Sequence, residues 1–429
     1  MEAARPVPQN LEDLSQEWTA KNVLQPKIQE EFVILDYKAT FATNYEDRDG
    51  YLSEMCRIEI EVELKESGKK KRFDLFAKLY PPTEGHRKMV RQTRAFEREI
   101  HAYTSLLEQI RTVQKLPTTH KLEPNWPECV YSIVDSDNNI SAIIMEDLKA
   151  AGFKVMDKAE GLDFDHLVLS MKAFARSHAL TFNVKIQLGI EQMMLRNQQL
   201  LDNPLQYFDN LWETGFGVAI YFLREYGRAD LADKMSVFRE AHGTVMSHAN
   251  RLLKRPHRMR TLTEGDYWIN NMLFRHEIKD GREVPVEVKL VDLQMAHYVH
   301  PCFDLVYFLF GASNSQQRNP LDKLLRTYYD TFFNILFQVG SPFSRSDYTY
   351  DEFKADFHIY RSLSLIFGPT FIIWFLADPK GMPDVSNLTS DFNVMLGEWM
   401  EQQKDIPNAK HVAEKLVDLV EEAELHGVL

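Results

Sequence analysis

The chain has 429 residues, 44% hydrophobic and 26% charged, which is the balance of a folded protein of two or three domains rather than a disordered chain. Its formal net charge of −13 argues against nucleic acid or an anionic membrane as a partner.

Residues 1–30 read as a loosely attached lead-in with a short helix near residues 11–20, and no apolar run that would mark a signal peptide. Residues 32–41 read as a first strand. Cys56, Ile58, Ile60, Val62 and Leu64 then alternate with polar residues, the period of a half-buried strand. The basic run Lys69-Lys70-Lys71-Arg72 lies in the turn that follows and reads as solvated. Residues 73–80 return as a third strand, ended by Pro81-Pro82. A long helix is expected over residues 86–111, with Phe96, Tyr103, Leu106 and Ile110 on one stripe. Two more strands, 129–134 and 140–145, flank a polar turn at 135–139.

Beyond residue 150 the pattern turns helical, with helices expected over 164–181, 210–226 and 229–254. A strand pair interrupts them at 264–294. Residues 363–377 are the most apolar stretch, but Ser364, Gly368, Pro369 and Thr370 break it, so a buried helix pair is expected and not a membrane span. A last amphipathic helix runs over 409–425, with Asn408 as its N-cap. The three cysteines (Cys56, Cys129, Cys302) fit neither a zinc site nor a disulfide framework, which suits a reducing compartment and places the protein in the cytosol. The fold class read from this order is α+β and two-lobed, like the protein kinases. A lead-in (1–30) precedes a small β-rich lobe with one long helix (31–147) and a larger, mainly helical lobe (148–429).

The densest chemistry lies in Gly265-Asp266-Tyr267-Trp268-Ile269-Asn270-Asn271 and in Val288-Lys289-Leu290-Val291-Asp292-Leu293-Gln294. Between them, Asp280-Gly281 is a tight-turn signal, and Val284, Val286, Val288 and Leu290 alternate as a strand. With residues 269–274 read as the partner strand, the hairpin carries Asp292 back beside Asp266 and Asn271. Phosphoryl transfer from ATP needs such a set: Asp266 as the base that aligns an acceptor hydroxyl, Asn271 and Asp292 as ligands of Mg2+. Lys78, on the third strand, is the candidate grip on the ATP phosphates. Glu99 is its expected partner, because it falls on the apolar stripe of the next helix, where an unpaired carboxylate is costly. The phosphate-covering loop is expected over residues 43–53. It contains only Gly50 where several glycines would help, and Ser53 could contribute a hydroxyl or amide. Glu146 and Leu148 lie in the stretch expected to offer backbone groups to adenine. Asp304 reads as a helix cap that also supports the catalytic loop. His297 and His300 read as isolated surface residues, with no carboxylate at a recognised ligand spacing.

From about residue 30 to 400 the chain resembles the insect ecdysteroid kinase-like family, related to choline and aminoglycoside kinases. The resemblance rests on Asn44-Tyr45 with Ser53, Phe96-Glu97-Arg98-Glu99 with Tyr103, Met145-Glu146-Asp147-Leu148 with Gly152-Phe153, Ser177-His178-Ala179, and above all the Asp266 to Asn271 and Asp292-Leu293-Gln294 motifs. It implies ATP- and Mg2+-dependent phosphorylation of a hydroxyl on a small molecule, with ecdysteroids the namesake substrates. It also implies Asp266 as base, Asn271 and Asp292 as metal ligands, and Lys78 with Glu99 as the phosphate clamp. Two residues depart from the family pattern: Glu264 stands where His is usual, which is expected to loosen the Asp266 loop, and Leu293 where Phe is usual. An alternative is a weak or inactive kinase-fold binding protein. A protein kinase is disfavoured, because no activation segment is recognisable between Asp292 and Asp304.

Overall fold

The alternation in residues 56–64 builds the strand it implies. The computed structural model describes residues 7–42, 53–135, 138, 140–376, 392–402 and 408–429. Those residues fall into two compact units. The first runs through Ser105 and resumes over Pro127–Lys154; the second holds Leu106–Trp126 and most of the chain from Val155 onward.

The first unit is built on one antiparallel sheet. Its strands are β1 (Phe32–Phe41), β2 (Glu54–Leu64), β3 (Lys70–Leu79), β4 (Cys129–Asp135) and β5 (Ile140–Glu146), in the order β1-β2-β3-β5-β4. In β2 every second residue from Glu54 to Leu64 is buried, the signature of a strand with one face on a core. The lead-in is packed and not loose: Leu14, Val23 and Leu24 are buried, and Trp18 meets Tyr131 of β4 edge-on at 5.4 Å. The expected long helix is broken. Glu84–Thr93 ends at Arg94, which adopts a left-handed φ of 54°, and Ala95–His101 starts afresh before a π-helical turn at Ala102–Leu106. Arg94 carries no local signal for this break, because left-handed backbone usually falls to Gly or Asn.

In the second unit the helix Phe164–Leu188 is the central element, longer than expected by two turns and capped at its start by the Asp163 carboxylate accepting from the His166 N–H. The expected helix over 229–254 is two helices, Ala229–His242 and Val245–Lys254, separated at Gly243 with φ 83°. Asn408 precedes the last helix, Ala409–Leu425, but its side chain makes no capping bond; its amide reaches the Leu376 carbonyl at 3.5 Å instead. The helical run Tyr350–Leu376 is long and apolar enough to cross a membrane, longer than the 363–377 stretch read from sequence, and 78% of its apolar window is buried inside the protein. It carries the buried Asp356 and Arg361, and Pro369 sits inside its second half.

Candidate active site

The hairpin of the second unit forms from the residues that signal it. The strands Met272–Lys279 and Arg282–Leu290 pair antiparallel across a two-residue turn in which Asp280 (φ 52°) and Gly281 (φ 75°) are both left-handed. A bulge between Arg275 and His276 makes Val286 the extra residue beside Pro285. One detail differs from expectation: Ile269–Asn271 is a 3-10 turn, and the strand begins only at Met272. Asn271 is therefore fixed at the mouth of the ladder, and the Val291 N–H donates to its carbonyl at 3.0 Å. That bond sets Asp292 one residue from Asn271's partner. Asp292 itself holds a left-handed φ of 66°, a backbone position that is uncommon outside glycine and that often marks a functional site.

Asp266 is half-buried and held on both sides. The Tyr307 hydroxyl donates to its Oδ1 at 2.7 Å, and Asn271 Nδ2 lies 3.0 Å from its carbonyl and 3.4 Å from its Oδ2. Burial pushes the Asp266 carboxyl up to about 7; Asp292 and Asp304 add to the push, and the Tyr307 hydrogen bond opposes it. Because Asn271 commits its Nδ2 to Asp266, its Oδ1 is the end left as an acceptor. A carboxamide oxygen and a carboxylate are the donor types that Mg2+ prefers, so Asn271 and Asp292 suit that ion. Gly265, with φ 83°, admits nothing larger: a Cβ there would press on the Met295 carbonyl and lie 2.8 Å from His297 Nδ1.

Glu264 is anchored and does not hang free. Its backbone N–H donates to Asp304 Oδ2 at 3.2 Å, its Oε1 accepts from Trp126 Nε1 at 3.2 Å, and its Oε2 lies 3.4 Å from His178 Nε2. One residue beyond Asp266, Tyr267 stacks on Phe174 with ring centroids 4.0 Å apart. Asp304 is not a helix cap. It lies inside Cys302–Ala312, fully buried, and both its contacts point at the loop and at His178.

In the first unit, Lys78 and Glu99 meet as expected. Their ion pair measures 2.6 Å, with Lys78 5% and Glu99 1% exposed, and the ammonium also lies 5.9 Å from the Phe96 ring. Ser53 is buried immediately before β2; Asn44, Tyr45 and Gly50 of the expected phosphate loop lie outside the described residues. Glu146 ends β5, its carboxylate accepting from the Glu128 N–H at 3.0 Å. The Leu148 carbonyl accepts from the Phe153 N–H at 2.9 Å, so of its two backbone groups the N–H is the one left to offer. Asp147 shapes this segment, bonding the Lys149 N–H and pairing with Arg57 at 2.9 Å.

Sequence reasoning missed Tyr307 and Trp126 as contacts of the loop, and mistook His297 and His300, which are buried. His300 and His257 both face Asp356, at 3.5 and 3.3 Å, a spacing that could suggest a metal site. The Nδ1 atoms of both rings accept backbone N–H groups, from Cys302 and Met259. The Nε2 atoms facing the carboxylate therefore carry the protons and are donors, not metal ligands.

A sequence model of the ecdysteroid kinase-like family matches residues 47–341, more than half of the chain, and takes in Lys78, Glu99, Asp266, Asn271 and Asp292. No curated protein matches the chain. The chain thus belongs to the ecdysteroid kinase-like family and is, in general class, a kinase-like phosphotransferase.

Proposed function

We propose that the protein is an ATP- and Mg2+-dependent kinase that phosphorylates a hydroxyl of a small molecule, an ecdysteroid or a related steroid or alcohol. The observation that carries this reading is the placement of Asp266: one carboxylate oxygen held by Tyr307, the other beside Asn271, with Asp292 brought up by the ladder. Asp266 accepts the proton of the acceptor hydroxyl as its oxygen bonds to the γ-phosphorus and the bond to the ADP oxygen breaks. Asn271 Oδ1 and the Asp292 carboxylate would hold Mg2+, which would supply positive charge against the phosphates. Lys78, kept straight by Glu99, grips the α- and β-phosphates. Ser53 would offer its hydroxyl or amide to the phosphates, and the Leu148 N–H would serve adenine. Glu264, the motive for a non-catalytic reading, is held by Trp126, Asp304 and His178, so it does not by itself argue for a slack loop. The reading includes a cytosolic protein that needs no nucleic acid or membrane partner.

The test is mass spectrometry of a steroid and amino-alcohol panel incubated with the protein and Mg-ATP. A product heavier by one phosphate, formed by the wild type and not by Asp266→Asn, is expected. Equal product from both proteins would remove Asp266 from the mechanism.

A further inference from the structure

Two carboxylates, Glu264 and Asp304, lie buried against one imidazole. His178 Nε2 is 3.1 Å from Asp304 Oδ2 and 3.4 Å from Glu264 Oε2, and all three residues are nearly or fully sequestered from solvent. Among the described residues no Lys or Arg is paired with either acid. Two uncompensated charges at this depth would be costly; burial pushes the Asp304 carboxyl up, and the imidazole is the group in place to offset the negative charge that the pair retains. Its other nitrogen, Nδ1, lies 2.9 Å from the Tyr328 hydroxyl, whose oxygen can accept a second ring N–H. We propose that His178 is a positioning residue: as a buried imidazolium shared by Glu264 and Asp304, it fastens the loop carrying Asp266 to the central helix Phe164–Leu188.

The geometry explains why the fastening is effective. Glu264 precedes Asp266 by two residues and Asp304 already holds the Glu264 backbone, so one cation ties the loop's side chain and its backbone anchor to the same helix. Phe174, one turn earlier on that helix, grips the other side of Asp266 by stacking on Tyr267. Burial opposes the charge on His178, but hydrogen bonds and attraction from Asp304 and Glu264 outweigh it and lift the ring to about 9. Among the described residues, Tyr328 and Tyr267 also face this cluster, and burial pushes both well up, so they are neutral. The same three atoms could instead surround a metal ion, and the experiment separates the two.

The charge state is read on the full chain, 15N-labelled at histidine, by NMR. One ring should keep both N–H signals at pH 7.5, lose a proton only near pH 9, and vanish in His178→Gln. Should that variant fail to fold, Glu264→Gln should still move the ring's titration to lower pH. A neutral His178 at pH 7.5, or a stoichiometric metal in the purified protein, would overturn the imidazolium. The positioning role rests on the phosphotransferase reading and has its own readout, Mg-ATP turnover. Folded Glu264→Gln should lose roughly 10- to 100-fold in kcat, with the KM for ATP changed less than about twofold. An unchanged kcat would overturn the positioning role. Wild type that turns over no Mg-ATP with any acceptor would sink the phosphotransferase reading instead, while leaving the imidazolium result intact.

Discussion

At the scale of single residues, the site depends on side chains held by neighbours far away in sequence. Asp266→Asn keeps the shape but cannot take a proton, and should lower turnover roughly 10²- to 10⁴-fold without a large change in stability; near-normal product formation would contradict the assigned role. Lys78→Met leaves Glu99 as a buried carboxylate without its 2.6 Å ammonium, and should cost about 3 kcal/mol in denaturant unfolding besides weakening ATP binding. His178 gives a pH prediction whose sign can be worked out. Its folded pKa of about 9 lies above the ordinary 6.5, so its stabilisation is complete below about pH 6.5 and fades as pH rises through 9. The stability gap between wild type and His178→Gln, on the order of 3 kcal/mol at most, should therefore close toward pH 10; a gap that widens with pH would be the wrong sign. Taking the difference cancels groups that do not touch His178, among them Lys185, which burial lowers to about 7 and which pulls the opposite way.

At the scale of elements, what could be read in advance was what is local. Asp280-Gly281 between alternating valines specifies a turn, a register and hence the approach of Asp292 to Asn271. The pairing of Lys78 with Glu99 was legible because a carboxylate on an apolar stripe needs a cation. The Tyr307 clamp, the Trp126 bond to Glu264 and the His178 bridge were not legible, because each joins residues dozens of positions apart through tertiary packing that no short-range pattern encodes. The break at Arg94 was hidden for a different reason: a residue with a side chain adopts a backbone shape that composition assigns to glycine. Gly265, by contrast, has no room for change, so Gly265→Ala should displace the catalytic loop and cut both stability and turnover, checked by melting and kinetics together. The C-terminal helix offers a second test. Its Glu422 pairs with the buried Arg318 and with Arg361 at 2.7 Å. Glu422→Ala strands two guanidinium groups, and should cost roughly 3–5 kcal/mol.

For the whole molecule, the division into a β-rich unit and a helical unit was visible in the change of hydrophobic period near residue 150, but the assignment of Leu106–Trp126 to the second unit was not. Those residues join it by specific bonds, Gln109 to Asn197 and Asn125 to the hairpin, which only the folded chain reveals. The hairpin has one further consequence. Its strands are eight and nine residues long, so the Asp280-Gly281 tip stands about 25 Å from the end that carries Asn271 and Asp292. Ile278 beside that tip is 73% exposed. The tip is accordingly a place where foreign peptide or a dye could be grafted with the chemistry left undisturbed. Deleting one residue midway along the first arm would instead slide the ladder and turn its inward side chains outward.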